Sequence, residues 1–186
     1  WTDGSVTGFA YAYSQNYDIG NPLTGGGLRY FTSNGTALTG DPDVTAPGQV
    51  AQKIDVSSGA TAAAIGAGSA LYSLSAFFTT YHGQDDIGTV HLRFMDAAMV
   101  GISSVLLSDS DPTAGWKQES TSGSVPVGTS FVQVSVYGAT TVIGQGPDGY
   151  IDNVDLRIVP EPSTVAIAGI GLAAVGLGLR RRRDES

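Results

Sequence analysis

Up to Thr164 the chain places apolar and polar residues in short alternating runs bounded by Gly, Pro, Asp and Ser, and helical periodicity is scarce. Side chains along a strand point to opposite faces in turn, so each run predicts a half-buried strand. Thr7–Tyr13 sets Phe9, Tyr11 and Tyr13 on one face and leads into a Gly- and Asn-rich loop, 16–27. Leu28–Phe31 is a brief strand, Asn34-Gly35 is a hairpin-turn signal, and Asp41 to Gly48 reads as loop. Val50–Val56 aligns Val50, Ile54 and Val56, and the small, Ala-rich stretch 57–68 predicts one loose helical turn. The clearest strand is Leu71–Thr80, with Tyr72, Leu74, Ala76 and Phe78 inward and Ser73, Ser75 and Thr79 outward. Thr89–Asp96 follows with Val90, Leu92 and Phe94 inward and His91 outward, and Met99–Leu107 continues the pattern. Trp116–Ser120 reads as an edge strand, and Val125-Pro126-Val127-Gly128 turns into Thr129–Tyr137, with Val132, Val134 and Val136 inward. Tyr150–Val159 closes the domain with Val154, Leu156 and Ile158. Eight or nine such strands need two sheets packed face to face. The expected fold is all-β, a jelly-roll β-sandwich over residues 1–158.

The pattern changes in the tail, 159–186. Val165–Leu179 holds no charged or amide side chain and would cover about 22 Å as a helix. That is the low edge of what crosses a bilayer. Gly171, Gly176 and Gly178 lower helix propensity in water, but lipid tolerates no unpaired backbone and enforces the helix. A core helix would show a polar face, and this run shows none. The expectation is therefore one short C-terminal hydrophobic helix over 164–179, with Arg180, Arg181, Arg182 and Arg183 holding the C-terminus on the cytoplasmic side. Such a segment serves either as a permanent anchor or as a cleavable C-terminal signal.

Pro160-Glu161-Pro162, then Ser163, the apolar run and the four arginines, in that order and ending close to the last residue, resemble the PEP-CTERM sorting signal. The resemblance implies recognition by an exosortase, a membrane-embedded cysteine transpeptidase, with processing near the Pro-Glu-Pro. It also implies a transient stay in the inner membrane, then the cell surface or extracellular matrix of an exopolysaccharide-making Gram-negative bacterium. The tail is an address and does not itself state what the domain does.

Composition narrows the domain's chemistry. Cysteine is absent, which excludes disulfides, thiolate metal sites and a cysteine nucleophile. Before residue 160 there are five basic residues against fourteen acidic ones, a balance that repels phosphate backbones, so no nucleic-acid partner is expected. Thirteen of those acids are aspartate, which suits turns and oxygen-rich cation sites. The chain begins at Trp1 without a methionine or a charged-then-apolar leader, so the expectation is either a removed signal peptide or a fragment.

The order Gln52-Lys53-Ile54-Asp55-Val56, Tyr72-Ser73-Leu74-Ser75-Ala76, Asp86 before Val90–Asp96, Val125–Thr129 and Asp148–Leu156 is similar to the galactose-binding-like jelly rolls of many carbohydrate-binding modules. These motifs specify strands and turns more than ligand. In that family an N-terminal strand usually precedes the position matching Trp1. The resemblance further implies that Asp152, in its Asp-Asn-Val-x-Leu ending, helps hold a structural calcium. Calcium wants six to eight oxygens, so loop carbonyls must join it; otherwise Asp152 caps the Gly-Tyr turn or pairs with Arg157.

Sugar recognition usually sets an aromatic platform beside amide and carboxylate groups, because a pyranose has an apolar face and a polar rim. Tyr81, His82, Gln84, Asp85 and Trp116 offer those types on loops and are the candidate ligand contacts. The alternative is that Tyr81 closes the core and Trp116 covers an edge strand. Catalysis is not expected: His82 and His91 are the only histidines, and no Gly-x-Ser-x-Gly elbow or His-Glu-x-x-His occurs. Asp85 and Asp86 are adjacent, so on a strand they diverge and a glycosidase pair would need a distant partner. The expected function is that of an exported, non-catalytic surface or matrix protein associated with extracellular polysaccharide and binding carbohydrate. A structural or adhesive matrix protein without a sugar site, and a glycan-active enzyme, are the alternatives.

Overall fold

The computed structural model describes residues 2–3, 8–12, 29–33, 50–80, 86–108, 115–139 and 149–160. Ten strands and one helix follow in order: β1 Thr2–Asp3, β2 Gly8–Ala12, β3 Arg29–Ser33, β4 Val50–Asp55, α1 Gly59–Gly66, β5 Ala70–Thr80, β6 Ile87–Met95, β7 Gly101–Ser108, β8 Lys117–Ser124, β9 Phe131–Ala139 and β10 Gly149–Pro160. They form two five-stranded sheets, β1-β4-β9-β6-β7 and β2-β3-β10-β5-β8, antiparallel at every pairing. The expected jelly-roll β-sandwich is the fold found.

Alternation explains the core. Tyr72, Leu74, Ala76 and Phe78 of β5 meet Val90, Leu92 and Phe94 of β6 and Val132, Val134 and Val136 of β9, all buried between the sheets. Each large side chain so buried contributes about 1.5–3 kcal/mol relative to exposure. The Tyr72 and Phe94 rings, one from each sheet, meet at 5.3 Å between centroids. β8 alternates half-buried and exposed residues, as its place at a sheet edge requires.

Three departures from the sequence reading have physical causes. The stretch 57–68 forms an eight-residue helix rather than one turn, because Ala64 and Ile65 are buried against the core. Thr79 is buried although it points away from the core: its cross-strand partner Tyr150 shares that outer face and is buried too. The hairpin-turn signal Asn34-Gly35 lies outside the described residues. Finally, β10 changes parity. Register slips between Asp152 and Asp155, where Asn153 adopts a left-handed φ of 48°. This β-bulge puts Ile151 on the same core side as Leu156 and Ile158.

The hydrophobic segment 164–179 and Arg180–Arg183 lie outside the described residues. No helix among the described residues is long and apolar enough to cross a membrane.

Candidate ligand-binding face of the first sheet

Alternation that sends Val90, Leu92 and Phe94 into the core sends Thr89, His91, Arg93 and Met95 to the outer face of the first sheet. Neighbouring strands contribute in register. One row reads Lys53, Gln133, Arg93, Ser104 across β4, β9, β6 and β7; the next reads Ala51, Ser135, His91, Leu106. A third sets Tyr137, Thr89 and Ser108 side by side.

This outer face is unusually dry for polar groups. Ser135 is 1% exposed, His91 6% and Gln133 8%, and Thr89 and Tyr137 are buried as well. Buried polar groups are retained where they are hydrogen-bonded or have a ligand to meet. Gln133 Nε2 donates to Ser135 Oγ at 3.1 Å, which leaves the Gln133 carbonyl oxygen, the second amide hydrogen and the serine proton for other work. At the β7 side the face sinks into an open recess of about 220 Å³ lined by His91, Arg93, Gly101, Ile102, Ser103 and Ser104. The Arg93 guanidinium lies over Gly101, where a Cβ would stand 3.0 Å from Nε and 3.1 Å from Nη2. A side chain at 101 would push the guanidinium out of place.

The far end of the row is closed by packing. Lys53 Nζ sits 5.6 Å from the Phe131 ring centroid and 3.3 Å from Met99 Sδ, so the exposed half of Phe131 is covered by a cation. Beyond it, Asp55 accepts hydrogen bonds from Ser57 N at 2.8 Å and Ser57 Oγ at 2.6 Å. The hydroxyl bond, then the backbone bond, holds the Asp55 carboxyl below its ordinary range, against a weaker opposing desolvation.

Of the residues singled out from sequence, Tyr81, His82, Gln84 and Asp85 lie outside the described residues. Trp116 is half-buried immediately before β8, the edge strand of the second sheet, so it does not share the His91 face. Asp86 is buried at the start of β6. Asp152 lies on the outward side of β10 opposite Phe77, and its Oδ1 accepts from Asn153 N at 2.7 Å. Arg157 pairs with Asp155 at 2.8 Å. Among the described residues no three His, Asp or Glu side chains gather as a metal site would need. Pro160 ends β10, while Glu161 and Pro162 lie outside the described residues.

Sequence reasoning put His91 outward but not into a site. The signal was there in part: polar outward residues at alternate positions of two separate runs, His91 and Arg93, Gln133 and Ser135. What was missing is that β6 and β9 are neighbours.

Comparison with known proteins adds an address and a likeness. Residues 159–183 match the PEP-CTERM protein-sorting motif, which marks the chain for export and sorting through the cell envelope to the surface by way of an exosortase. No curated protein matches the chain. Among solved structures it is similar to the enzymatically active domain of bacteriophage CBA120 tailspike protein 4, with a TM-score of 0.46 and 16% identity over 71% of this chain. The match spans 16% of that tailspike domain. A Family 16 Carbohydrate Binding Module-2 gives a TM-score of 0.42 at 14% identity, covering 71% of this chain and 78% of the other. A CBM4 structure gives 0.40 at 16%, covering 82% and 86%. At these scores the likeness says nothing of ligand or activity.

Proposed function

We propose that the protein is a non-catalytic, carbohydrate-binding component of the cell surface or extracellular matrix of a Gram-negative bacterium, associated there with exopolysaccharide or biofilm. The tail delivers it through the exosortase route, with a passing residence in the inner membrane through 164–179. The observation that carries the binding role is the buried polar face of the first sheet: His91, Arg93, Gln133 and Ser135 in adjoining rows beside the recess at Gly101–Ser104. Sugar hydroxyls are both donors and acceptors, and this set offers both kinds at fixed positions on a rigid sheet.

The reading is tested on a glycan array with the exported protein. The expected result is binding that falls at least tenfold in the His91→Ala/Gln133→Ala double variant and is unchanged in Trp116→Ala. Binding that depends on Trp116 and ignores His91 would move the site to the second sheet.

β7 favours a second reading, a self-assembling matrix protein. It is an edge strand with no charged residue, and it exposes Ile102 and Leu106, lacking the lysines and prolines that usually blunt an edge. A concentration-dependent dimer in sedimentation, abolished by Ile102→Lys, would support that reading.

A further inference from the structure

We propose that the end of the sandwich from which the tail departs is a membrane-facing surface, with Met99, Val100 and Val127 resting in the lipid headgroup layer before the chain is processed; this rests on the reading that 164–179 resides in the inner membrane.

Topology gathers the pieces. Pro160, the last residue of β10, pairs with Ala70 at the start of β5, and the Ala70 carbonyl accepts from Val125 N at 2.8 Å. The turn that follows, where Thr129 N donates to Pro126 O at 3.2 Å, carries the chain from the second sheet to the first. There Ser130 N donates to Met95 O at 2.8 Å, at the mouth of the β6–β7 hairpin whose tip holds Met99 and Val100. A Cβ at Gly128 would stand 3.9 Å from Ile102 Cδ1, so the turn and the hairpin adjoin. The exit towards the tail, the 125–128 turn and the hairpin tip therefore share one end of the molecule, opposite the end at which Gly88 and Gly149 meet.

Exposed apolar residues concentrate at that end. Among the described residues six large apolar side chains stand exposed, and Met99, Val100, Ile102, Val127 and Val159 all belong to it, with Leu106 the exception. Val100 is 60% exposed and Val127 61%. An exposed apolar cluster marks a surface with a partner.

The reach of the chain identifies that partner. Residues 161–163 alone separate Pro160 from the run 164–179, and four Cα steps span at most about 14 Å. The headgroup layer takes about 5–8 Å of that. With 164–179 in the bilayer, this end is held against the lipid surface, where valine and methionine side chains enter the boundary between headgroups and acyl chains. Asp55 and Asp96 at the same end are engaged by hydrogen bonds, the first from Ser57 and the second from Ala98 N and Val100 N. Docking is therefore apolar, and it brings Pro160-Glu161-Pro162 to the lipid boundary.

The chain has no cysteine, so single-cysteine variants report position. The full chain is reconstituted in vesicles of phosphatidylethanolamine and phosphatidylglycerol, with an environment-sensitive fluorophore on Val100→Cys, Val127→Cys or Ser108→Cys. Ser108, exposed at the other end of β7, is the reference. The expected result is a blue shift at 100 and 127, with quenching by headgroup-labelled lipid at least about threefold stronger than at 108. Probes at 100 and 127 as wet as the one at 108, in a chain that alkaline carbonate does not extract, overturn the inference and leave membrane residence standing. A chain that carbonate extracts overturns both. A blue shift of the processed chain in solution that grows with its concentration assigns this end to a second copy and overturns the inference.

Discussion

The backbone of Gly149 lies against that of Gly88: a Cβ at 149 would stand 2.5 Å from Gly88 N and 2.6 Å from Ile87 C. The two glycines belong to opposite sheets, so this contact closes one end of the sandwich. A Cβ at Gly88 would in turn meet Ile151 Cγ1 at 2.8 Å and Phe78 Cδ1 at 3.1 Å. Gly149→Ala must move backbone, whereas Gly88→Ala first displaces side chains. Gly149→Ala is expected to cost about 3 kcal/mol, near the upper end of overpacking changes, and Gly88→Ala less. Urea unfolding of the two variants measures both.

Asn153 holds the bulge that realigns β10. Asparagine tolerates the left-handed region, which costs other L-residues about 1–2 kcal/mol. Asn153→Gly should fold with unchanged stability to within a few tenths of a kcal/mol, while Asn153→Val should lose about 1–2 kcal/mol. The same unfolding experiment separates them.

The β6–β7 hairpin turns at Asp96, whose Oδ1 accepts from Ala98 N and Val100 N, both at 2.9 Å, while Met99 N donates to Asp96 O at 3.0 Å. Met99 then carries a left-handed φ of 62° where a glycine normally sits in this three-residue loop. Met99→Gly is expected to stabilise the fold by up to about 1 kcal/mol, and Asp96→Ala to destabilise it by about 1 kcal/mol. A thermal melt shows the two shifts as opposite in sign.

Asp55 gives a pH signature. Its carboxyl is more acidic in the folded state than the ordinary 3.8, because Ser57 donates to the ionised form. The contribution is therefore present above the unfolded value and is lost as pH falls through the lower, folded one. The melting-temperature gap between the wild type and Asp55→Asn should stay constant from pH 7 to pH 5 and narrow below 3.8. A gap independent of pH would show that Ser57 does not hold the carboxylate.

The strands were legible because alternation is a local signal: Tyr72, Leu74, Ala76 and Phe78 announce their burial without knowledge of any partner. Val154, Leu156 and Ile158 announced the core face of β10 for the same reason. Their alignment with Ile151 was not legible, since it depends on one extra residue at Asn153 opposite β5. The candidate face was half legible for a different cause. His91 and Gln133 each read as outward polar residues, but a site arises only when β9 pairs with β6, and pairing across more than forty residues leaves no local trace. Trp116 drew attention through its residue type, yet chain order placed it beside the edge of the other sheet.

The proposed function has the tail deliver the sandwich to the surface and the His91 face hold it there. It is tested most directly by the partition of the mature chain between matrix polysaccharide and medium, in cells that possess an exosortase. The account predicts a chain shortened near Pro160-Glu161-Pro162 and retained in the polysaccharide fraction, with the His91→Ala/Gln133→Ala variant equally processed but released to the medium. Equal retention of the variant, or an intact chain held in the inner membrane, would contradict it.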